Sequence, residues 1–513
     1  MMANCSASAS QIGLIARPAL FIRRRRSYYP SRDTRKEAIC VTTINKVRNP
    51  YTGEYDHEFL EPNGSQIKAV AQRLRKHQTT WAAKPLAERV AVLREFGQRW
   101  KTHRAEILEA IQIDTGRSHV ARLETDSVPD TIERVVNEAQ SVFTEPEPHS
   151  AGIAVITGWQ HRVPYGLIGN ITPWNFPIIL SFIDTLPALA AGNAVLVKPS
   201  EVTPRWIEPV RHAISEVPEL SDVLELLPGA GQTGAEVIRH VDAVSFTGSV
   251  ATGRKVYESA ARHFIPAFLE LGGKDPVIVL ESADVKFAAE TVTHCSVGST
   301  GQACQSLERA YVARPLLDKF VEEVVAVAES VTLNYPNIEA GLIGPFIFEK
   351  QPHIVMEHLR DAVEKGAVIQ CGGEIIDHGG QWMRPTVLTN VRQDMKVMQE
   401  ETFGPVIPIM AFDSISEAIE LANDSTYGLS ASVFAGSMQE GHSVAQQLKA
   451  GAVSVNDASL TAFVHDFSHD SFGFSGLGSS RFGPPAGLRF TREQAILEND
   501  SGQAVVSAVI QSS

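Results

Sequence analysis

Phe268-Leu269-Glu270-Leu271-Gly272-Gly273-Lys274 is a short apolar run that carries one carboxylate into a double-glycine turn, and it closes a series. Upstream, the apolar segments 167–171, 194–197, 224–227 and 243–246 precede the one at 267–271, and each is followed by glycine or proline and a helical apolar period. Short apolar strands spaced by helices predict an α/β fold with a parallel, Rossmann-like nucleotide-binding sheet, buried on both faces. In such a sheet ligands sit at the carboxyl ends of the strands, so the residues just past those ends are where chemistry is sought.

The first strand runs into Thr172-Pro173-Trp174-Asn175-Phe176-Pro177. Its prolines fix the backbone, and Asn175 offers a neutral side-chain donor of the kind that holds an oxyanion, although a plain turn asparagine reads the same way. The second ends in Lys198-Pro199-Ser200-Glu201, where a carboxylate can accept from both ribose hydroxyls and would repel a 2′-phosphate. The segment from Pro228 to Gly234 satisfies G-x-G-x-x-G, yet Ser249 stands at about the distance where the ordinary dinucleotide fingerprint places an acid. The fourth strand meets Phe246-Thr247-Gly248-Ser249, with Gly253 four residues on, and amides at such a helix start can receive a pyrophosphate.

Downstream lies Gly301-Gln302-Ala303-Cys304-Gln305-Ser306-Leu307-Glu308-Arg309. A free cysteine with pKa ~8.5 is only a few per cent thiolate near pH 7, so a nucleophilic cysteine needs help, and Glu270 is a candidate base. Taken singly, a lone cysteine is more often a small core hydrophobe, and a lone glutamate a paired carboxylate. The joint pattern says more. Leu-Glu-Leu-Gly-Gly-Lys, followed by Gly-Gln-x-Cys and an arginine five residues past the cysteine, resembles the aldehyde dehydrogenase superfamily. So do Pro-Trp-Asn-Phe-Pro, Phe-Thr-Gly-Ser-x-x-x-Gly and Glu400-Glu401-Thr402-Phe403-Gly404-Pro405-Val406, and the resemblance runs over about residues 47–498.

The resemblance implies a cysteine nucleophile at Cys304, a hydrolytic base at Glu270 and an oxyanion donor at Asn175. It implies cofactor contacts from Thr172, Trp174, Lys198, Ser200, Glu201, Gly231, Phe246, Gly248, Ser249, Leu271, Glu401 and Phe403. The cofactor is NAD, with NADP the alternative. Phe176, Leu180, Ile183 and Phe472, with Phe474, suggest an apolar substrate tunnel. The family's Pro-Phe-Gly-Gly is replaced by Ser471-Phe472-Gly473-Phe474, and the preceding loop carries His465, Asp466 and His469. No metal is expected, because further ligands do not cluster with the two histidines.

The expected organisation is a basic extension at 1–46, disordered or targeting; a nucleotide-binding domain from 47–144 and 165–274; a second α/β catalytic domain at 275–478; and an oligomerisation arm and tail at 145–164 and 479–513. Within the arm, residues 152–163 alternate about Gly158 and read as an edge hairpin, a hazard unless paired with another subunit. The resemblance implies that this hairpin is part of an oligomerisation arm, and a homodimer or homotetramer is therefore expected. Amphipathic helices are predicted over 64–81, from Pro85 onward and over 124–143.

The net charge is −13, and the first 38 residues carry eight Lys or Arg against two acids, which leaves −19 for the rest and argues against a nucleic-acid partner. Five scattered cysteines without a C-x-x-C pair fit a reducing compartment. No apolar run reaches the ~18 residues of a membrane span. The cytoplasm is the expected location, or the mitochondrial matrix if the arginine- and serine-rich leader is a transit peptide. The expected activity is oxidation of a small-molecule aldehyde to its acid through a thiohemiacetal and thioester. The alternatives are NADP-linked semialdehyde oxidation, a coenzyme A-acylating outcome, or a non-catalytic protein on the same fold.

Overall fold

The structure is a computed structural model that describes residues 43–505 apart from 145, 154 and 503. Most of the basic extension and the last eight residues thus lie outside the described residues. The fold reaches back beyond the expected start at residue 47, because Ile44–Arg48 is a strand, paired antiparallel with Tyr55–Leu60. Gly53, at φ +79°, closes the turn between them and donates to the Asn49 carbonyl at 2.8 Å.

Four helices follow: α1 (Gly64–Ala83), α2 (Leu86–Thr102), α3 (Arg104–Thr115) and α4 (His119–Val142). A capping box starts α1, with the Asn63 side chain accepting from the Gln66 amide and the Gln66 side chain from the Asn63 amide, both at 3.0 Å. Pro85 stands just before α2, as expected. Helix α4 begins five residues earlier than predicted and runs through Pro129.

The first sheet contains β1 (Leu167–Ile171), β2 (Ala194–Lys198), β3 (Leu224–Leu226), β4 (Ala243–Thr247) and β5 (Ala267–Glu270), parallel and ordered β3-β2-β1-β4-β5. Helices α5 (Ile179–Ala190), α6 (Gly231–Ile238) and α7 (Val250–His263) occur between these strands. The order reverses between β1 and β4, which is where a doubly wound sheet opens its ligand crevice. Phe96, Trp100, Phe182 and Trp206 pack in one core cluster, with Trp100 and Phe182 ring centroids 5.3 Å apart. Truncating such a ring to alanine costs about 3 to 5 kcal/mol.

The second sheet contains β6 (Asp275–Val279), β7 (Leu307–Ala313), β8 (Val368–Cys371), β9 (Thr386–Thr389), β10 (Val406–Phe412), β11 (Ser430–Phe434) and β12 (Ala452–Val455). Their order is β8-β9-β10-β7-β6-β11-β12, parallel except for β8 on β9. Helix α8 (Val285–Val297) connects β6 to the cysteine loop.

Two expectations need correction. The edge hairpin pairs His149–Ser150 with Ile156–Pro164, but Gly158 is not its turn: it lies inside the second strand, opposite Leu497, and a Cβ there would come within 2.7 Å of the Leu497 side chain. The glycine serves close approach, and the main partner is Thr491–Asn499, in a register of nine pairs. The second concerns β13 (Gly476–Leu477), assigned by sequence to the catalytic domain. It pairs antiparallel with β5 at the edge of the first sheet.

Candidate active site

Strand register explains why the cysteine meets the glycine turn. Strands β6 and β7 are parallel, with Asp275 opposite Leu307, so the residues entering each strand run side by side. A Cβ on Gly273 would lie 2.7 Å from the Cys304 carbonyl oxygen, so only glycine lets this turn approach the cysteine loop. Glu270 stands at the start of the same turn, one-fifth exposed, its carbonyl accepting the Gly248 amide at 3.1 Å.

The loop before Cys304 is constrained. Ser299 and Thr300 adopt left-handed φ of 56° and 62°, and Gly301, at φ +66°, faces the Gly404 carbonyl too closely for any side chain. Gln302 is wholly buried and locks the loop by accepting from the Ile347 amide at 2.9 Å and donating to the Ser299 and Pro345 carbonyls. Asn175 arrives from the end of β1, buried, and its Nδ2 donates to the Gln302 carbonyl at 3.2 Å. The three predicted catalytic residues therefore belong to adjoining loops.

Cys304 is half-buried, and its thiol is pushed up to about 12 by burial, with Asp275, Glu401 and Glu270 adding to the rise and Arg481 opposing it. At neutral pH the resting group is a thiol, and nucleophilic attack requires a proton to leave it. Burial also lifts Glu401 and Asp275 to about 8. Glu401 accepts the Gly273 amide at 3.1 Å, and Asp275 accepts from the Ser430 amide at 3.2 Å and the Ser430 hydroxyl.

Several of the predicted cofactor residues stand at the carboxyl ends of strands of the first sheet, while Glu401 and Phe403 come from the loop before β10. Lys198 is buried at the end of β2 with its Nζ 3.5 Å from Glu201 Oε2. Burial lowers Lys198, while Glu201 and Glu61 pull it back up. Gly231 is exposed at the start of α6 with open space where a side chain would stand. Ser249 caps α7, and Gly248 lies against the Phe246 ring, where a Cβ would come within 2.6 Å. Trp174 packs edge-on to Phe403 at 5.5 Å, and Leu271 fills the space beside Gly253. Thr172 and Ser200 use their hydroxyls internally, toward Ser181 at 2.8 Å and the Val202 amide at 3.2 Å. The lysine–carboxylate pair, the open glycine and the helix starts at a strand-order reversal fit a dinucleotide.

The residues expected to line the substrate tunnel differ in exposure. Phe176 and Leu180 are half-buried, Phe176 lying under the Arg117 guanidinium at 5.7 Å, and Ile183 is buried. Phe472 is exposed, and Phe474 instead meets Arg254 of α7 at 4.2 Å. His465 and His469 bracket the Phe482 ring at 4.8 and 4.9 Å. Among the described residues no group of three or more His, Cys, Asp or Glu could hold a metal. A cleft of about 550 Å³ between α8 and the loop after β12 is lined by Phe287, His294, Cys295, Asp457, Leu460 and Phe463. It adjoins the cysteine loop, since Thr461 donates to the Gln305 side chain at 3.0 Å.

Sequence reasoning missed Arg117, Arg481, Arg489 and Asp184. All four are charged residues buried to 5% exposure or less. Asp184 and Arg117 stood in helical or turn segments without a motif, and the two arginines in a stretch assigned to the arm and tail.

A family model described as the aldehyde dehydrogenase family matches residues 40–496. A solved Anabaena variabilis structure, provisionally named aldehyde dehydrogenase PutA, is 48% identical, with a TM-score of 0.89 over 90% of this chain and 99% of that one. Betaine aldehyde dehydrogenase of Staphylococcus aureus, solved with NAD, is 28% identical, with a TM-score of 0.85 over 90% and 93%. A Mycolicibacterium smegmatis protein, provisionally named an NADP-linked succinate-semialdehyde dehydrogenase, is 35% identical over 88% of both chains.

Proposed function

The chain belongs to the aldehyde dehydrogenase family, and from that premise we propose that it oxidises a small-molecule aldehyde to the carboxylic acid with NAD, through a thiohemiacetal and thioester on Cys304. The observation that carries this reading is the meeting of the Glu270 turn, the Asn175 loop and the Cys304 loop, in which Gly273 abuts the Cys304 backbone and Asn175 reaches Gln302. Glu270 takes the thiol proton of Cys304 and passes it to solvent, and the thiolate attacks the carbonyl carbon. Asn175 Nδ2 and the Cys304 amide hold the oxygen that becomes negative, each such donor contributing about 3 kcal/mol to the transition state. NAD held by the predicted cofactor residues would supply the hydride acceptor. Glu270 then takes a proton from the water that hydrolyses the thioester.

Lys198 and Glu201 would hold the adenosine ribose, and Glu61, close enough to act on Lys198, adds a second carboxylate there. Two negative groups favour NAD over the 2′-phosphate of NADP. A glutamate at 270 favours hydrolysis over acyl transfer to coenzyme A. The test is reduced-nicotinamide formation over a panel of apolar, cationic and carboxylate-bearing aldehydes with each dinucleotide, ranked by kcat/KM, with the acid product assayed. Absence of turnover with every aldehyde would overturn the enzymatic reading.

The sheet formed by Ile156–Pro164 and Thr491–Asn499 suits an arm between copies in a homodimer or homotetramer, testable by sedimentation. Among the described residues no helix is long and apolar enough to cross a membrane. The unbridged Cys295, Cys304 and Cys371 suit the cytoplasm, and imaging the full chain beside one lacking residues 1–42 tests for import.

A further inference from the structure

Two guanidiniums carried by one C-terminal segment converge on a single oxygen of Glu270. Arg481 Nε and Arg489 Nη1 each lie 3.7 Å from Glu270 Oε1. The cause is topological: β13 pairs Gly476 with Glu270, and the Leu271 amide donates to the Ser475 carbonyl at 2.8 Å, so the chain that follows is laid against the end of β5.

Both arginines are fixed from behind. Arg481 Nη2 donates to Asp184 Oδ2 and Thr247 Oγ1, both at 2.6 Å. Arg489 Nη2 donates to Ser245 Oγ at 3.1 Å and lies 3.3 Å from Asp184 Oδ1, while its Nη1 donates to the Ser479 carbonyl at 3.2 Å. Phe268 and Phe490 flank the Arg489 guanidinium at 5.0 and 5.1 Å. The arginine side chains are 5% and 0% exposed, whereas Glu270 is 19% exposed. The fixed parts are therefore the cations.

Asp184 can neutralise only one of the two buried positive charges, and Glu270 is the nearest second anion. Arg481 Nε, the atom facing Glu270, has no hydrogen-bond partner, although a buried donor left so is costly. A small shift of the Glu270 side chain satisfies it.

We propose that Arg481 and Arg489 are positioning residues that form a two-guanidinium seat for the Glu270 carboxylate, holding it beside Cys304 where it can receive a proton from water. The inference rests on the reading of Glu270 as the hydrolytic base. In the step it serves, the water oxygen bonds to the acyl carbon, one water proton passes to Glu270, and the carbon–sulfur bond breaks with Cys304 leaving as thiolate. The other ionisable groups acting around Glu270 are Asp184 behind the arginines, Cys304, and His469, which burial lowers and Glu270 partly restores.

The test compares Arg481→Lys, Arg489→Lys and Arg489→Gln with the unaltered enzyme, each also combined with Glu270→Gln. Turnover and the fraction of Cys304 carrying an acyl group at steady state are read, the latter by mass spectrometry. Each single variant should turn over about tenfold more slowly, equivalent to ~1.4 kcal/mol, with acyl occupancy raised. Combined with Glu270→Gln, the same changes should slow deacylation no further. Unchanged acyl occupancy, or an equal proportional loss in both backgrounds, would overturn the proposal. If Arg489→Gln does not fold, the lysine variants carry the same comparison. Failure of the unaltered enzyme to acylate Cys304 would instead overturn the function on which this rests.

Discussion

Arg117 holds Asn175 from behind: its Nη1 donates to the Asn175 carbonyl at 2.8 Å while its Nη2 donates to the Ser299 carbonyl at 2.9 Å. One buried side chain thus ties the loop bearing the oxyanion donor to the loop bearing the thiol. Charged hydrogen bonds of this kind contribute about 1.5 to 3 kcal/mol each. Arg117→Met should lower kcat by about tenfold to a hundredfold, with a smaller effect on KM for the dinucleotide. Steady-state kinetics on the folded variant check this, and an unchanged kcat would remove Arg117 from the account.

Cys304 supplies a pH test. With its thiol pushed up to about 12, the thiolate fraction should grow about tenfold per pH unit from pH 7 to 10. Iodoacetamide modification of Cys304, followed by peptide mass spectrometry without dinucleotide, should rise across that range without levelling. A plateau below pH 9 would contradict the described environment. Arg481→Lys should keep the rate near that of the unaltered protein, and Arg481→Gln should slow it, since Arg481 is the group drawing the thiol down.

Glu124 links pH to stability. It is wholly buried, accepts the Ile178 and Ile179 amides through Oε2 at 3.0 and 3.3 Å, and leaves Oε1 without a partner. Burial pushes its carboxyl up to about 8. The folded pKa lies above the unfolded one, so the folded protein holds this proton more tightly; the stability is full below pH ~4 and is lost as pH rises through about 8, at up to ~1.4 kcal/mol per unit. Glu124→Gln should therefore flatten the fall of Tm between pH 6 and 9. An identical pH dependence in both proteins would count against a protonated Glu124.

Cofactor choice follows from the carboxylates around Lys198. Glu201→Gln and Glu61→Gln should each raise kcat/KM with NADP relative to NAD by about tenfold, by removing a charge that opposes a 2′-phosphate. Paired assays with the two dinucleotides measure it. A ratio unmoved in both variants would place the discrimination elsewhere.

The sequence displayed the strands of the first sheet because each is an apolar run ended by glycine or proline, and 167–171 and 243–246 match β1 and β4 to within one residue. Glu270, Asn175 and Cys304 were legible because short motifs surround them. Arg117, Asp184, Arg481 and Arg489 were not, since a buried ion pair joins residues far apart in the chain and leaves no local period. Gly158 misled for a related reason: a glycine chosen for close packing against Leu497 reads, in isolation, like a turn. Strand β13 is two residues long, too short to show any alternation.

The covalent bond to Cys304 is the step on which the proposed chemistry turns. Glu270→Gln protein should be mixed with an aldehyde substrate and NAD, quenched, digested and weighed by mass spectrometry. An acyl adduct is expected on the peptide containing Cys304, near one per subunit, with Cys295 and Cys371 unmodified. Reduced nicotinamide formed without such an adduct, or an adduct carried by Cys295, would contradict it.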